Sequence, residues 1–221
     1  MLVKICGLTD VKEVSYLQEN NVDFAGMVLF FEKSKRNISI EKAKTIINAI
    51  HANCGESTKS DDRTGIKAVA VTVSPTKEQV DEIGKAGFDF IQIHGVVNDE
   101  LISECKIPVL KAFNIDDMPK YEHYREFDNI KGFVFDAGQP GSGKPFDWNV
   151  LNELERDEDR LFILAGGLNE QNVRTAIEVV KPDGVDVSSG VELPDVILSD
   201  GSVKTGKDPE KIRAFVKNAR I

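Results

Sequence analysis

The chain has 221 residues and a formal net charge of -9 at pH 7, with 41% hydrophobic and 29% charged residues. This composition is typical of a globular protein, and the length suffices for one well-buried domain. The acidic balance argues against broad nucleic-acid binding, which needs a basic face. No apolar run approaches the ~20 residues that span a bilayer. The sequence predicts one catalytic domain over residues 1–221, with no nucleic-acid, membrane or protein partner implied.

The cysteines predict a reducing compartment. There are three, Cys6, Cys54 and Cys105, an odd number without a CxxC pair. Disulfide and zinc frameworks are therefore not expected. The first residues lack the pattern of a signal peptide. We expect a cytoplasmic protein that needs no metal and no cofactor.

Eight short apolar runs predict eight strands, separated by segments of helical periodicity. The runs are Leu2–Cys6, Asp23–Phe30, Ile66–Val73, Asp89–His94, Ile107–Phe113, Lys131–Asp136, Leu161–Ala165 and Gly184–Val187. Asp10, Ser39 and Asn169 are expected to cap helices after the first, second and seventh strands. Alternating strands and helices imply parallel pairing. Eight such units in this length predict an α/β fold, a single closed (β/α)₈ barrel of the TIM type.

A doubly wound open sheet is the alternative fold, but it requires a glycine-rich turn after the first strand. The turn at Gly7 carries no such fingerprint. Two polar segments interrupt the periodicity. Ala52–Gly65 is expected to be a surface loop, and Leu193–Lys207 an irregular connection before a last helix, Pro209–Arg220.

The chemistry of such a barrel lies at the carboxyl ends of its strands, and phosphate groups commonly bind after strands seven and eight. Gly166 and Gly167 follow the seventh predicted strand, and Ser188, Ser189 and Gly190 follow the eighth. They offer free backbone amides and hydroxyls, so they predict a phosphate site. The alternative is that the glycines only form tight turns.

Other strand ends carry candidate reactive groups. Cys6 ends the first strand, where it is either a functional thiol or an inert packed cysteine. Asp136 ends an apolar strand, and a carboxylate there needs a partner or a function. Lys4 shares the inward face with Cys6, which suits a structural ion pair better than a Schiff base, and Lys111 has the same ambiguity. His94 is either a substrate contact or a structural histidine.

One motif is misleading. Residues 138–144 match the beginning of a P-loop, GxxxxGK, but Pro145 follows where a Ser or Thr must bind magnesium. We interpret the segment as a loop and not as a nucleotide site.

Seven segments together resemble the phosphoribosylanthranilate isomerase family, a barrel of the tryptophan pathway. They occur in the family's order and span nearly the whole chain. They are Lys-Ile-Cys-Gly-Leu-Thr (4–9), Ser-Lys-Arg (34–36), Gln-Ile-His-Gly (92–95), Phe-Asp (135–136), Gly-Ser-Gly-Lys-Pro-Phe-Asp-Trp (141–148), Leu-Ala-Gly-Gly-Leu-Asn (164–169) and Asp-Val-Ser-Ser-Gly-Val-Glu (186–192).

The resemblance implies that Cys6 is the general base and Asp136 the general acid of an Amadori rearrangement. It implies that Arg36 binds the anthranilate carboxylate and that the glycine and serine loops bind the phosphate. His94 and Asp186 are implied contacts near the ribose. The chain departs from the family pattern at Ala137, where a Thr-like residue is usual, and both long polar loops resemble insertions.

Two other functions are compatible with a phosphosugar barrel. The first is an aldolase that forms a Schiff base on Lys4 or Lys111. The second is a barrel that binds phosphorylated metabolites without catalysis, although a pure binder needs neither Cys6 nor Asp136.

Overall fold

The computed structural model of the chain describes residues 1–52, 65–136, 148–201 and 203–221. Cys54, Ala137 and the P-loop-like segment 138–144 lie outside this range, as does most of the predicted surface loop 52–65. None of the described helices is long and apolar enough to cross a membrane.

Eight parallel strands form a closed barrel in chain order, with the last strand paired to the first. The barrel predicted from the apolar runs is confirmed. The strands are β1 (Leu2–Cys6), β2 (Phe24–Val28), β3 (Lys67–Val73), β4 (Phe90–His94), β5 (Val109–Asn114), β6 (Ile130–Asp136), β7 (Leu161–Ala165) and β8 (Gly184–Val187).

Two predicted strand ends shift for local reasons. The second strand was predicted to reach Phe30 and ends at Val28, because Phe30 has a φ of 57°, which lies outside the extended region. The fifth strand was predicted from Ile107 and begins at Val109. Pro108 stands before it and has no backbone N–H to donate to a neighbouring strand.

Helices separate the strands. The α-helices are α1 (Glu13–Glu19), α2 (Ile40–Ala52), α3 (Lys77–Ala86), α4 (Asp99–Glu104), α5 (Tyr121–Tyr124), α6 (Val173–Val180) and α7 (Pro209–Ala219). Short 3₁₀ helices cover Ile115–Lys120, Trp148–Glu153 and Ser189–Val191. Over the part that the structure describes, the connection between β6 and β7 consists of the 3₁₀ helix Trp148–Glu153 and the turns that follow it.

Of the three predicted caps, one is confirmed at its helix. The Ser39 hydroxyl accepts from the Lys42 amide at 3.2 Å, at the start of α2. Asp10 and Asn169 instead accept amides in the turn that precedes each helix, since α1 begins at Glu13 and α6 at Val173. The predicted cap positions there are wrong by a few residues.

Strand alternation divides the core into two clusters. One consists of strand side chains directed into the barrel, among them Val69, Leu110, Val134 and Ile163. The other packs the outward strand side chains against the helices. Cys6 belongs to the interior cluster, so alternation directs its side chain toward the barrel axis.

The connection 193–207 contains a short antiparallel hairpin that the sequence did not predict. Its strands are β9 (Val196–Ile197) and β10 (Val203–Lys204). The base of the excursion is closed by an antiparallel bridge between Glu192 and Lys207. The backbone there brings two charged residues, fifteen positions apart in the chain, side by side.

Candidate active site

A cleft of about 460 Å³ opens at the carboxyl ends of the barrel strands. It is lined by Cys6, Arg36, Gln92, His94, Asn114, Val134, Asp136, Ala165, Gly166, Gly167, Leu168, Asp186, Val187, Ser188 and Ser189. Nine of the ten residues that the sequence singled out as site residues are in this lining. The tenth, Gly190, is not in the lining but packs against the backbone of Leu168, which is. A larger groove of about 900 Å³ opens on the outside, between α3 and α4, away from the strand ends.

Cys6 and Lys4 share the inward face of β1. Lys4 forms a buried ion pair with Asp186 on the neighbouring β8, with Nζ and Oδ2 2.9 Å apart. The predicted structural ion pair is therefore confirmed. Burial lowers the pKa of Lys4, but the charges of Asp186 and Cys6 outweigh it and the pKa is raised overall. A lysine held protonated in this way is a poor Schiff-base nucleophile.

The Cys6 thiol is almost completely buried, with 9% of the residue exposed. A Cβ on Gly26 would lie 3.0 Å from Cys6 Sγ and 3.1 Å from Lys4 Nζ, so the thiol and the ammonium are neighbours. Burial raises the pKa of the thiol, while the cations Lys4 and Lys207 oppose that rise. The net direction is upward, so the free cleft favours the protonated thiol.

Lys111 is not in the cleft. Its neighbours Leu110 and Ala112 belong to the barrel interior, so Lys111 points outward from β5. Its ammonium donates to three backbone carbonyls, at 2.7 to 3.2 Å, and burial lowers its pKa to about 8. Because backbone carbonyls of the barrel wall hold the ammonium outside the cleft, Lys111 is not a candidate for Schiff-base formation.

Asp136 ends β6 and stands in register between Asn114 on β5 and Ala165 on β7. Its side chain is half-buried and lines the cleft together with Cys6. The two predicted acid–base residues thus lie on β1 and β6 of one closed barrel and share one cleft.

His94 ends β4 and contacts Gln92 on the same strand, with the two Nε2 atoms 2.8 Å apart. Burial, together with the charges of Lys4 and Lys111, lowers the pKa of His94 to about 4. The imidazole is therefore neutral at pH 7. Gln92 Oε1 is buried and has no hydrogen-bond partner among the described residues. The cleft thus offers a neutral imidazole to a ligand.

The loops after β7 and β8 adopt the backbone geometry that the glycines suggested. Gly166 and Gly167 have φ values of 90° and 64°, in the left-handed region that favours glycine. A Cβ on Gly190 would overlap the carbonyl oxygen of Leu168, so this glycine lets the two loops touch. Here the glycines both form tight turns and pack the loops together.

The two serines differ in what their hydroxyls do. The Ser188 hydroxyl donates to the Cys6 carbonyl at 3.0 Å and so ties the end of β8 to the end of β1. Ser189 is exposed at the cleft. Ser188 therefore connects the strand ends, Ser189 faces the cleft, and the phosphate role expected of both hydroxyls stays a prediction.

Arg36 is paired with a residue for which the sequence analysis gave no role. Its Nε and Nη2 donate to the two carboxylate oxygens of Glu192, the second at 3.0 Å. Lys207 also contacts Glu192, at 3.1 Å, and its side chain is completely buried. Burial raises the pKa of Glu192, but hydrogen bonds and charges from Arg36 and Lys207 bring it down to about 2.

The sequence did not indicate Glu192 and Lys207 as site residues, because they are brought together only by the antiparallel bridge at the base of the β9–β10 hairpin. A charged residue directly after Ser-Ser-Gly-Val was the one available signal. Among the described residues no group of three or more His, Cys, Asp or Glu is placed to hold a metal ion.

The fold and the cleft define a β/α-barrel enzyme with its reactive groups at the strand ends. The family model for N-(5'-phosphoribosyl)anthranilate (PRA) isomerase matches residues 3–218, and the chain belongs to this family. A relative from Listeria monocytogenes serotype 4b, named N-(5'-phosphoribosyl)anthranilate isomerase, is 36% identical and aligned over 100% of this chain and 98% of its own.

Solved structures agree with this assignment. The phosphoribosylanthranilate isomerase of Thermotoga maritima superposes with a TM-score of 0.77 at 35% identity, covering 100% of this chain and 99% of that one. A further isomerase structure has a TM-score of 0.75 at 33% identity and covers 100% and 98%. That protein was solved in complex with reduced 1-(o-carboxyphenylamino)-1-deoxyribulose 5-phosphate. The resemblance found in the sequence is confirmed.

Proposed function

We propose that this protein converts N-(5-phosphoribosyl)anthranilate into 1-(2-carboxyphenylamino)-1-deoxyribulose 5-phosphate, an aldose–ketose isomerisation of tryptophan biosynthesis. Family membership supports the reaction. The observation that carries the mechanism is the cleft, where a thiol, a carboxyl group and two glycine-rich loops lie together. Buried free thiols at Cys6 and Cys105 are in keeping with a reducing cytoplasm.

The reaction begins with ring opening. The ribose ring oxygen takes a proton from Asp136, the bond from C1 to that oxygen breaks, and the anthranilate nitrogen becomes an iminium. Asp136 is left as a carboxylate. General acid catalysis of this kind contributes ~10²–10⁴-fold to the rate.

The second step moves a proton from carbon. The iminium acidifies the C2 hydrogen, the Cys6 thiolate removes it, and the electron pair neutralises the nitrogen to give an enolamine. The enol then loses its hydroxyl proton while C1 takes up the proton that Cys6 removed, which yields the ketose. The proton released from the enol restores the carboxyl group of Asp136, so both side chains end the turnover as they began it.

Two anionic ends of the substrate need anchors. We assign the anthranilate carboxylate to Arg36, which lines the cleft. We assign the phosphate to the backbone amides around Gly166 and Gly167 and to Ser189. His94 and Asp186 line the same cleft and are assigned to the ribose.

The test is turnover of the substrate by the purified protein. Addition of protein to N-(5-phosphoribosyl)anthranilate is expected to abolish the anthranilate fluorescence of the substrate. A matched reaction with the Asp136→Asn protein, which keeps the shape of the side chain, is the control. Persistent fluorescence with folded wild-type protein would overturn the proposal. Borohydride added during turnover is expected to label no lysine, which separates this mechanism from an aldolase.

A further inference from the structure

Glu192 lies at the centre of an ion-pair cluster at the mouth of the cleft. Its carboxylate is 5% exposed and has three cationic partners. These are Arg36, Lys207 at 3.1 Å and Lys35 at 3.2 Å. A carboxylate with three ionic partners has little freedom to rotate, so it constrains the position of each partner.

The pairing leaves one edge of the Arg36 guanidinium available. Glu192 accepts from Nε and Nη2, which is the side-on arrangement. A guanidinium has five N–H donors in one plane, so the Nη1 and Nη2 end retains three of them. That end matches a second carboxylate in a bidentate geometry. Glu192 therefore orients Arg36 and still leaves it able to bind an anion.

Packing fixes the stem of the same side chain. A Cβ on Gly7 would overlap the Arg36 Cδ atom, so the arginine stem lies directly on the glycine backbone. Lys207 connects the cluster to the loop after β8, because its Nζ also contacts the Ser188 carbonyl at 3.2 Å. The Arg36 side chain is thus fixed at its stem by Gly7 and at one edge by Glu192, and Lys207 in turn fixes Glu192.

The charge balance of the cluster favours an incoming anion. Arg36, Lys35 and Lys207 carry three positive charges, and Glu192 with Asp195, the second partner of Lys35, carries two negative ones. The difference is one positive charge, in a chain whose formal net charge is -9. A carboxylate bound at the guanidinium end would neutralise it.

We propose that Glu192 is a positioning residue that aims the guanidinium of Arg36 at the carboxylate of the anthranilate ring. This inference rests on the proposed function, since it assigns that carboxylate to Arg36. Glu192 itself touches no reacting atom. Its effect is therefore on binding of the carboxylate-bearing end of the substrate and not on the proton transfers.

The test compares Glu192→Gln with the wild-type protein. A glutamine amide would direct N–H groups at a cation, so the side-on pairing is lost. We expect KM to rise roughly tenfold, with kcat changed by less than about twofold, the pattern of lost uniform binding. Glu210→Gln, which removes an exposed partner of Arg213 on α7, is the matched control and leaves KM unchanged.

A pair of ligands separates positioning from general loosening of the structure. The first is reduced 1-(o-carboxyphenylamino)-1-deoxyribulose 5-phosphate, and the second is the same compound without the ring carboxylate. Glu192→Gln is expected to weaken calorimetric binding of the first and leave the second unchanged. In an Arg36→Ala background the substitution is expected to have no further effect on either.

Equal weakening of both ligands would overturn the inference, as would an undiminished effect in the Arg36→Ala background. A lower KM would also overturn it, because Glu192 would then compete with the substrate. Should Glu192→Gln fail to fold, Glu192→Asp keeps the negative charge but shortens its reach, and the same selective loss is expected. Failure of the wild-type protein to turn over substrate would instead remove the proposed function.

Discussion

Replacement of Lys4 by methionine is expected to lower both stability and activity, for separable reasons. The ammonium is buried, with 1% of the residue exposed, and lies 2.9 Å from Asp186 Oδ2. Methionine has a similar length and no charge, so the substitution leaves a buried carboxylate without its cation. Removing one partner of a buried ion pair costs about 3–5 kcal/mol.

This loss of folding free energy is measurable as a decrease in the melting temperature, Tm. For a chain of this size each kcal/mol moves the Tm by roughly 2–4 °C, so a decrease of roughly 6–20 °C is expected. Thermal unfolding followed by circular dichroism measures it. The double variant Lys4→Met/Asp186→Leu, which removes both charges, is expected to recover most of the Tm. A single variant that melts like wild type would refute the reasoning. A double variant as unstable as the single one would refute it too, since packing would then account for the loss.

The activity of the single variant reports on the thiol. An ammonium about 4 Å from a thiolate stabilises it by up to about 4 kcal/mol at an effective dielectric constant of about 20. Without Lys4 the thiolate of Cys6 is rarer, and kcat/KM is expected to fall at least roughly tenfold. The fluorescence assay at a temperature where the variant is folded measures this. An unchanged kcat/KM would mean that Lys4 has no part in setting the protonation of Cys6.

Further substitutions test the remaining assignments. Cys6→Ser and Asp136→Asn should each lower kcat by ~10²–10⁴-fold while a product analogue still binds, and a wild-type kcat in either would place that proton transfer elsewhere. Gly190→Ala should weaken binding of inorganic phosphate more than Ser189→Ala does, because its Cβ would separate the two loops; the reverse order would contradict the amide site. Glu192 has its pKa lowered to about 2, so its stabilisation is present above pH ~4.5 and lost as the pH falls toward 2. Acid unfolding should therefore be shallower in Glu192→Gln, and identical acid profiles would exclude this source of stability.

The sequence predicted the barrel because strands buried on both faces appear as uninterrupted apolar runs. Alternation along β1 also predicted that Lys4 shares the inward face with Cys6, and a register partner on β8 completes the pair. The end of β2 could not be predicted, since no local pattern in the sequence indicates the positive φ of Phe30. The assignment of residues 1–221 to a single domain and the roles of the site residues stay predictions.

The partnership of Arg36 with Glu192 could not be predicted for a different reason. The two residues are 156 positions apart, and Lys207 joins them only because an antiparallel bridge closes the hairpin excursion. Local patterns carry no information on such contacts. The same limit applies to the Ser188 hydroxyl, which suggested a phosphate ligand from its motif and donates to the Cys6 carbonyl in the structure.

The order of the two proposed proton transfers follows from the electrostatics of the cleft. Burial raises the pKa of Cys6, so a thiolate in the free cleft is disfavoured even with Lys4 and Lys207 nearby. Ring opening by Asp136 creates an iminium, whose positive charge is shared by the anthranilate nitrogen and C1, and C1 is bonded to the C2 carbon that Cys6 must deprotonate. An adjacent cation stabilises a thiolate, so the base becomes effective when its substrate becomes acidic. Proton donation by Asp136 therefore precedes proton abstraction by Cys6. Burial makes the Cys6 thiolate costly, and the iminium and the buried cations Lys4 and Lys207 share in offsetting that cost.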